Sequence, residues 1–500
     1  MESGGGAVAE LVRADATEKG SPGWWLEQLG KALYAKQDRL NRLDAYYRGD
    51  PPLPISAPSA RKAYQLFQRQ ARVNFAEMVV EAPRQRMIPL GFRTGADGDE
   101  NGDREARRLW DANDLDVESV DVHQKMLSLG VGYVIVGRDR DTGEVVITAE
   151  DPRQVITVHH PAVRRRVRAG LKVFRDDVEG RDLAYLYLPG QVWVAWRDSR
   201  QNQQLMEMGF RASEWIWAPE LSGPLGEGFA DVVPVVRFLS HRDGTGEFET
   251  HLDHLDRINT TILQQTVIIL MQAFRQRAIK GDLPTHDAAG NPINYEELFA
   301  AGPDALWQLP PDSELWESAA VDLTPVLSTI KDEALRLAAV TFTPMHLFSP
   351  DAASGSAEGA SLMREGLVFK TEDRLARASI GWRQVMSLAF RFAGDAQRAD
   401  LTALQPIWTP PERRSLAERA DAASKLAGVM PFRSLMTEVM QFRPDVVDRM
   451  EAERASDAFL QAALQAAQAP AGGGQQGQGG QERGQREQRD RGREPVRQGG

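Results

Sequence analysis

The chain has 500 residues, 42% of them hydrophobic and 26% charged, and its 60 Lys+Arg against 71 Asp+Glu leave a formal charge of −11. These are the proportions of a soluble globular protein with two to four structural regions, and the acidic balance disfavours general DNA binding by phosphate neutralisation. There is no cysteine, which excludes disulfides, thiolate zinc sites and cysteine nucleophiles and fits a reducing compartment.

The first twenty residues mix acids and glycines, where a secretory signal would need a basic start and an apolar core. Residues 24 to 48 predict a helix, with Trp25, Leu29, Leu33, Leu40, Leu43 and Tyr47 near helical spacing until "RGDPPLP" ends it. Further helices are expected over 62 to 88 and 103 to 129. Between 131 and 240 the texture changes to "VGYVIVG", "EVVITA", "DLAYLYL" and "VWVAW" between turn residues, the signature of an antiparallel sheet. The fold class is therefore α+β, mostly helical.

A helix about 45 Å long is expected over 249 to 279, with Leu255, Ile258, Ile262, Leu263, Val267, Ile269, Leu270, Ala273 and Phe274 on one broad face. Its most apolar window, 262 to 274, is too short and too glutamine-rich to cross a membrane. Residues 281 to 321 are rich in Pro, Gly and Asp and form a loop-rich insertion. The next helix has Thr324 as N-cap and Pro325 at its first position and stops near Pro344. "SPDAASGSAEGAS" (349 to 361) follows, and a very long helix then runs to Gly394. Short helices occupy 412 to about 467. The last thirty residues are a low-complexity tail with six Arg and four acids, expected to be disordered.

Motifs that carry chemistry are few. The small-residue stretch at 349 lacks the Gly-Lys-Ser/Thr ending of a phosphate loop and follows a helix rather than a strand. "HLDHLD" puts His251 and His254 one turn apart, a spacing that can share a metal, but acids at a helix start are ordinary solvated partners of the dipole. "HHPAVRRRVR" (159 to 168) is the one dense basic patch. It could meet phosphates or an acidic partner, and an exposed strand or turn is the plainer reading. No nucleophile or acidic-pair spacing marks an enzyme. No catalytic, cofactor-binding or metal-ligating residue is assigned, and no cofactor is expected.

Several stretches, in order, resemble one family. "LNRLDAYYRGDPPLP" (40 to 54), "ARVNFAEMVVEAPRQRM" (71 to 87), "LWDANDLD" (109 to 116), "LSLGVGYVIVG" (127 to 137), "VVPVVRF" (232 to 238) and "IWTPPERRSLAERADAASKLAG" (407 to 428) are similar to segments of the portal proteins of tailed double-stranded DNA bacteriophages. The resemblance spans roughly 25 to 455. It implies a non-enzymatic subunit of a ring, usually a dodecamer, at one capsid vertex of the virion, assembled in the host cytoplasm. The implied partners are further copies of the chain, the terminase large subunit, head-completion or neck adaptor proteins, major capsid and scaffolding proteins, and duplex DNA passing without sequence specificity; no membrane is involved.

The resemblance also implies a layout. Residues 1–24 would be a flexible N-terminus, 25–248 the wing, 249–279 a stem helix, 280–321 the clip and 322–348 a second stem helix. Residues 349–360 would be a tunnel loop, 361–394 a long helix returning to the wing, 395–467 the crown and 468–500 a disordered tail. Ser349, Asp351, Ser354, Gly355, Ser356, Glu358 and Gly359 are the candidate tunnel-loop residues, and Asp351 and Glu358 are its only charges. Some portals carry a lysine or arginine near the tunnel, so gripping of DNA by this loop is not expected. Two alternatives remain from the sequence: a minor capsid or scaffolding protein, and a DNA-processing enzyme of the packaging apparatus.

Overall fold

Ser21 accepts a hydrogen bond from the Trp24 amide and Pro22 occupies the first turn, so a helix starts where a cap and a prefixed φ coincide. This is α1 (Pro22–Tyr34). In the computed structural model, which describes residues 12–54, 62–96, 102–199, 205, 209–273, 277–281, 284–286, 289–295, 314–317, 322–348, 357–412 and 416–468, it is followed by α2 (Gln37–Tyr47), α3 (Lys62–Gln70), α4 (Phe75–Arg84), β1 (Pro89–Arg93), α5 (Arg104–Ala112) and α6 (Leu115–Ser128). The strands β2 (Val131–Arg138), β3 (Val145–Glu150), β4 (Val155–His159), β5 (Val167–Asp176), β6 (Arg181–Leu188), β7 (Gln191–Asp198), β8 (Ile216–Trp217), β9 (Gly223–Pro224) and β10 (Val235–Leu239) come next. Then come α7 (Leu252–Ala273), β11 (Arg277–Lys280), β12 (Glu314–Glu317), α8 (Thr324–Val340), α9 (Met345–Phe348), α10 (Ala357–Ala393), β13 (Gln405–Trp408), α11 (Leu416–Leu426) and α12 (Pro444–Gln468).

All strand pairings are antiparallel. One sheet runs β4-β5-β6-β7-β8 with β9 also on β7, a second runs β10-β2-β3, and β1-β13 and β11-β12 form two ribbons. On the larger sheet, α1 lays Leu26, Leu29 and Leu33 over Ala169, Leu171, Ala184 and Leu186, all buried. The smaller sheet carries α6 and α10 and with them the main core, centred on Trp110, Trp382, Phe92 and Phe238. Gly130 makes the sharp passage from α6 into β2: its φ is +82°, and a Cβ there would lie 2.0 Å from the Gly244 carbonyl oxygen.

Gly30 is a packing requirement of a different kind. A Cβ on it would sit 2.1 Å from Cδ1 of Phe210, and that ring is buried and stacked on Trp215 at 5.3 Å. Gly30→Ala therefore loses about 1–3 kcal/mol through overpacking, net of the roughly 1 kcal/mol that alanine contributes inside a helix. Thermal melting of the variant reads this as a lower midpoint; an unchanged or raised midpoint would show that the α1 contact can yield.

The α+β class and the antiparallel strands agree with the sequence reading, while several boundaries change. The helices expected over 24 to 48, 62 to 88 and 103 to 129 each break in two, the last at Asp114, whose φ of 50° is left-handed. The start expected to be flexible is ordered from Val12: the Ala14 amide donates to the Trp215 carbonyl at 2.9 Å, and Ala14 is buried. Among the described residues, the helix expected over 249 to 279 is α-helical over 252 to 273, about 33 Å. Arg277–Lys280 is instead a strand paired with Glu314–Glu317, so cross-strand pairing overrides the local helical pattern. The cap of α8 is shifted by one, with Leu323 at the N-cap and the Asp322 carboxylate accepting from the Thr324 amide at 2.9 Å.

The chain divides after Asp445 into two units. The second contains most of α12, which leaves Phe459, Leu460 and Leu464 exposed. The tail expected to be disordered lies outside the described residues from 469 on.

Candidate functional site

Two of the helices expected from the sequence, α7 and α8, are tied to the middle of α10. The base of α7 is pinned by polar contacts. Arg39 binds Glu249 through two nitrogens, at 2.6 Å and 2.5 Å. The Tyr46 hydroxyl donates to Asp256 at 2.6 Å, and the Val73 amide donates to Asn259 at 3.0 Å. Leu255, Ile258 and Leu263 are buried, but beyond them the apolar face is only half covered and Ile269 is exposed. The helix is thus held at one end, with apolar surface left over along its second half.

Helix α8 packs along α7. Glu333 of α8 is the shared partner: Arg257 is 2.7 Å away, Arg336 2.9 Å, and His254 Nε2 2.8 Å. His254 is therefore absorbed by a carboxylate of the neighbouring helix. Burial lowers the His251 pKa, helped by His254 and Lys370. Among the described residues no group of three or more His, Asp or Glu could hold a metal.

A third anchor joins α7, α8 and α10. Glu247, in the loop before α7, is buried with Lys370 Nζ at 2.9 Å and Arg374 Nε at 2.5 Å. Lys370 also donates to the Thr341 carbonyl at the end of α8, 3.0 Å. Arg374 donates to His241 Nε2 at 2.7 Å, so His241 carries its proton on Nδ1 and donates to the Thr245 carbonyl at 2.9 Å. Burial alone would raise the Glu247 pKa, but Lys370 and Arg374 outweigh it and hold the carboxylate below its ordinary value. Beside this cluster lies a cleft of about 530 Å³ walled by Phe342 and Phe369. Phe342 ends α8 with a φ of 52°, a position where glycine is usual, and the Thr343 amide closes the turn on the Ala338 carbonyl at 2.9 Å.

Of the candidate loop residues, Glu358 and Gly359 fall in the first turn of α10, which begins at Ala357 rather than after 360. Ser349, Asp351, Ser354, Gly355 and Ser356 lie outside the described residues. The basic patch at 159 to 168 is the exposed turn between β4 and β5. Sequence reasoning missed the Glu247 cluster. A signal existed: at about 100° per residue, Lys370 and Arg374 share a face with Leu367, Thr371 and Ala378, so two cations stand on the side of α10 that faces the core.

Residues 31–458 match the family described as phage portal protein, SPP1 Gp6-like. The chain belongs to the phage portal protein family. The portal protein of Mycobacterium phage D29 is 27% identical over 426 residues, covering 80% of this chain and 81% of that protein. The portal protein of Mycobacterium phage L5 is 25% identical over 414 residues, 79% of each. Among solved structures, a chain of the neck of a native GTA particle, computed with C12 symmetry, shares 12% identity over 80% of this chain and 98% of its own, with a TM-score of 0.40. Portal proteins are structural components of the virion, and that is the class of molecule to which the pinned helix pair belongs. Among the described residues no helix is long and apolar enough to cross a membrane.

Proposed function

We propose that this chain forms a ring-shaped channel at one capsid vertex, through which duplex DNA is packaged and later ejected. The observation that carries the reading is the family match over residues 31–458, and the α7/α8 pair supports it. Each helix is tied down at one end, and along its other half the described residues leave it only partly covered, as a stem helix lying between ring neighbours requires. In this reading the part before α7 is the wing, α7 and α8 are the stem, the segment between them, with the β11–β12 ribbon, is the clip, and α10 returns to the wing. Residues 395–467 form the crown and 349–356 the tunnel loop.

The chain acts without catalysis, as a docking ring for the terminase large subunit and later for neck adaptor proteins. It sits among major capsid and scaffolding proteins after assembly in the host cytoplasm. The charge supports passage rather than gripping. Duplex DNA presents about one charge per 1.7 Å, and a twelvefold ring of a −11 chain carries roughly −130. The purified full-length chain is expected to show closed rings with a central hole in negative stain. A strictly monomeric species at high concentration and across ionic strengths would overturn the reading.

A further inference from the structure

The basic hairpin and an acidic face of α6 have matching chemistry. The turn between β4 and β5 is held rigid by its own histidines. His159 Nδ1 donates to the Arg164 carbonyl at 2.7 Å, and His160 Nδ1 accepts from the amides of Ala162 and Val163 at 3.3 and 3.2 Å. This presents Arg164, Arg165 and Arg166 exposed and without an ion pair among the described residues. Arg165 and Arg166 form one wall of a groove of about 660 Å³; Arg391, near the end of α10, stands on the other, with Val163 and Leu401 at its apolar rim and Asp231 as its single acid. A groove of that size with three unpaired guanidinium groups and an apolar rim takes a ridge of apolar side chains flanked by carboxylates. A duplex, about 20 Å across, presents charge without apolar ridges and fits it poorly.

Such a ridge exists on this chain. Val117 is 66% exposed and Val120 37%, with Asp121 on the same face of α6 and Asp114 one turn before; neither acid has an ion pair among the described residues. At about 100° per residue these four positions fall within an arc of about 120°. Further round α6, about 60° past Val120 and about 120° from Val117, is His123, whose Nε2 accepts from the Trp382 indole of α10 at 2.9 Å. On α10, Gln384, Leu388 and Arg391, which line the groove, lie roughly opposite Trp382 around the helix. The ridge therefore faces largely away from α10 and the groove away from α6, so the two surfaces lie on different faces of the chain.

We infer that the ridge of α6 in one copy docks into the arginine groove of the next, with Asp114 and Asp121 opposite Arg165, Arg166 and Arg391. Two different surfaces of one chain make a head-to-tail contact, the kind that closes into a ring. The inference rests on the ring reading and names the surfaces that build it.

The test uses the full-length chain with sedimentation velocity and negative stain at about 0.15 M and 0.5 M salt. Arg165→Glu with Arg166→Glu raises the protein concentration for half-assembly by about tenfold or more, and Asp114→Arg with Asp121→Arg does the same. Combining the four restores assembly to within about threefold of wild type, which a general effect on folding could not do. Wild-type assembly weakens at the higher salt. Wild-type rings that the arginine reversal leaves intact overturn this interface alone. A loss that the combined variant fails to restore overturns the pairing with α6 and assigns the groove to an acidic face elsewhere. A wild-type chain that never assembles overturns the ring reading and this interface together.

Discussion

Trp382→Ala lowers the main unfolding transition by about 3–5 °C, the shift that a loss of about 3–5 kcal/mol gives in a chain of this size. The side chain is fully buried, its ring centroid lies 4.9 Å from Trp110 and 5.1 Å from Phe238, and its indole N–H donates to His123. Removal leaves a cavity between α10, α5 and the smaller sheet, because Gly381 already presses on Phe238 and the helix cannot move inward: a Cβ at 381 would be 2.4 Å from that ring. Trp382→Phe keeps most of the volume but strands the His123 acceptor, so it costs less, about 1–3 kcal/mol.

His123 adds a pH signature to the same core. Burial, with Arg84 nearby, depresses its pKa to about 3, so the unfolded chain takes up a proton near its ordinary value while the folded core refuses it. This contribution is complete above about pH 6.5 and is lost as pH falls toward 3. Differential scanning calorimetry across that window checks both effects. A Trp382→Ala midpoint within a degree of wild type at pH 7 would show that the aromatic cluster does not organise this core.

The second large effect is at Glu247. Glu247→Gln leaves Lys370 and Arg374 buried without their carboxylate, a loss of the order of 3–5 kcal/mol, much of it the cost of uncompensated buried charge. Burial pulls the Lys370 pKa down although Glu247 opposes it, so removing the carboxylate pulls it down further. The Glu247 pKa is depressed in the folded state. Its contribution is therefore full above the ordinary carboxylate value of about 4.3 and fades as pH falls through the lowered value, and Gln abolishes that acid dependence. The measurement is urea unfolding at pH 7 and near pH 4. Because the cluster joins the loop before α7, the end of α8 and the middle of α10, the variant also exposes those three segments together in hydrogen exchange. A variant that loses stability at pH 7 with no change in exchange at Thr341 or around Lys370 would mean the cluster does not couple them.

The small-residue stretch at 349 to 361 marks how far local pattern reaches. "SPDAASGSAEGAS" could be placed between two helices and denied a phosphate-binding role because it has no lysine, and the ordered family segments along the chain led to the portal family. The alternating strands were legible for the same reason. Each is a local pattern, set by side-chain period and turn residues that neighbouring positions share.

What required the tertiary structure depends on residues far apart in the chain. Glu247 meets Lys370 and Arg374, His123 meets Trp382, and Pro89–Arg93 pairs with Gln405–Trp408. Strand pairing at Arg277–Lys280 ended a helix that the local pattern would have continued. "HHPAVRRRVR" read as a basic patch with no address, and only the tertiary structure brought Arg165 and Arg166 to one groove with Arg391 of α10. Local periodicity determined the elements of this chain; long-range packing decided which charges are buried partners and which face outward, because that choice turns on the neighbours each face acquires on folding.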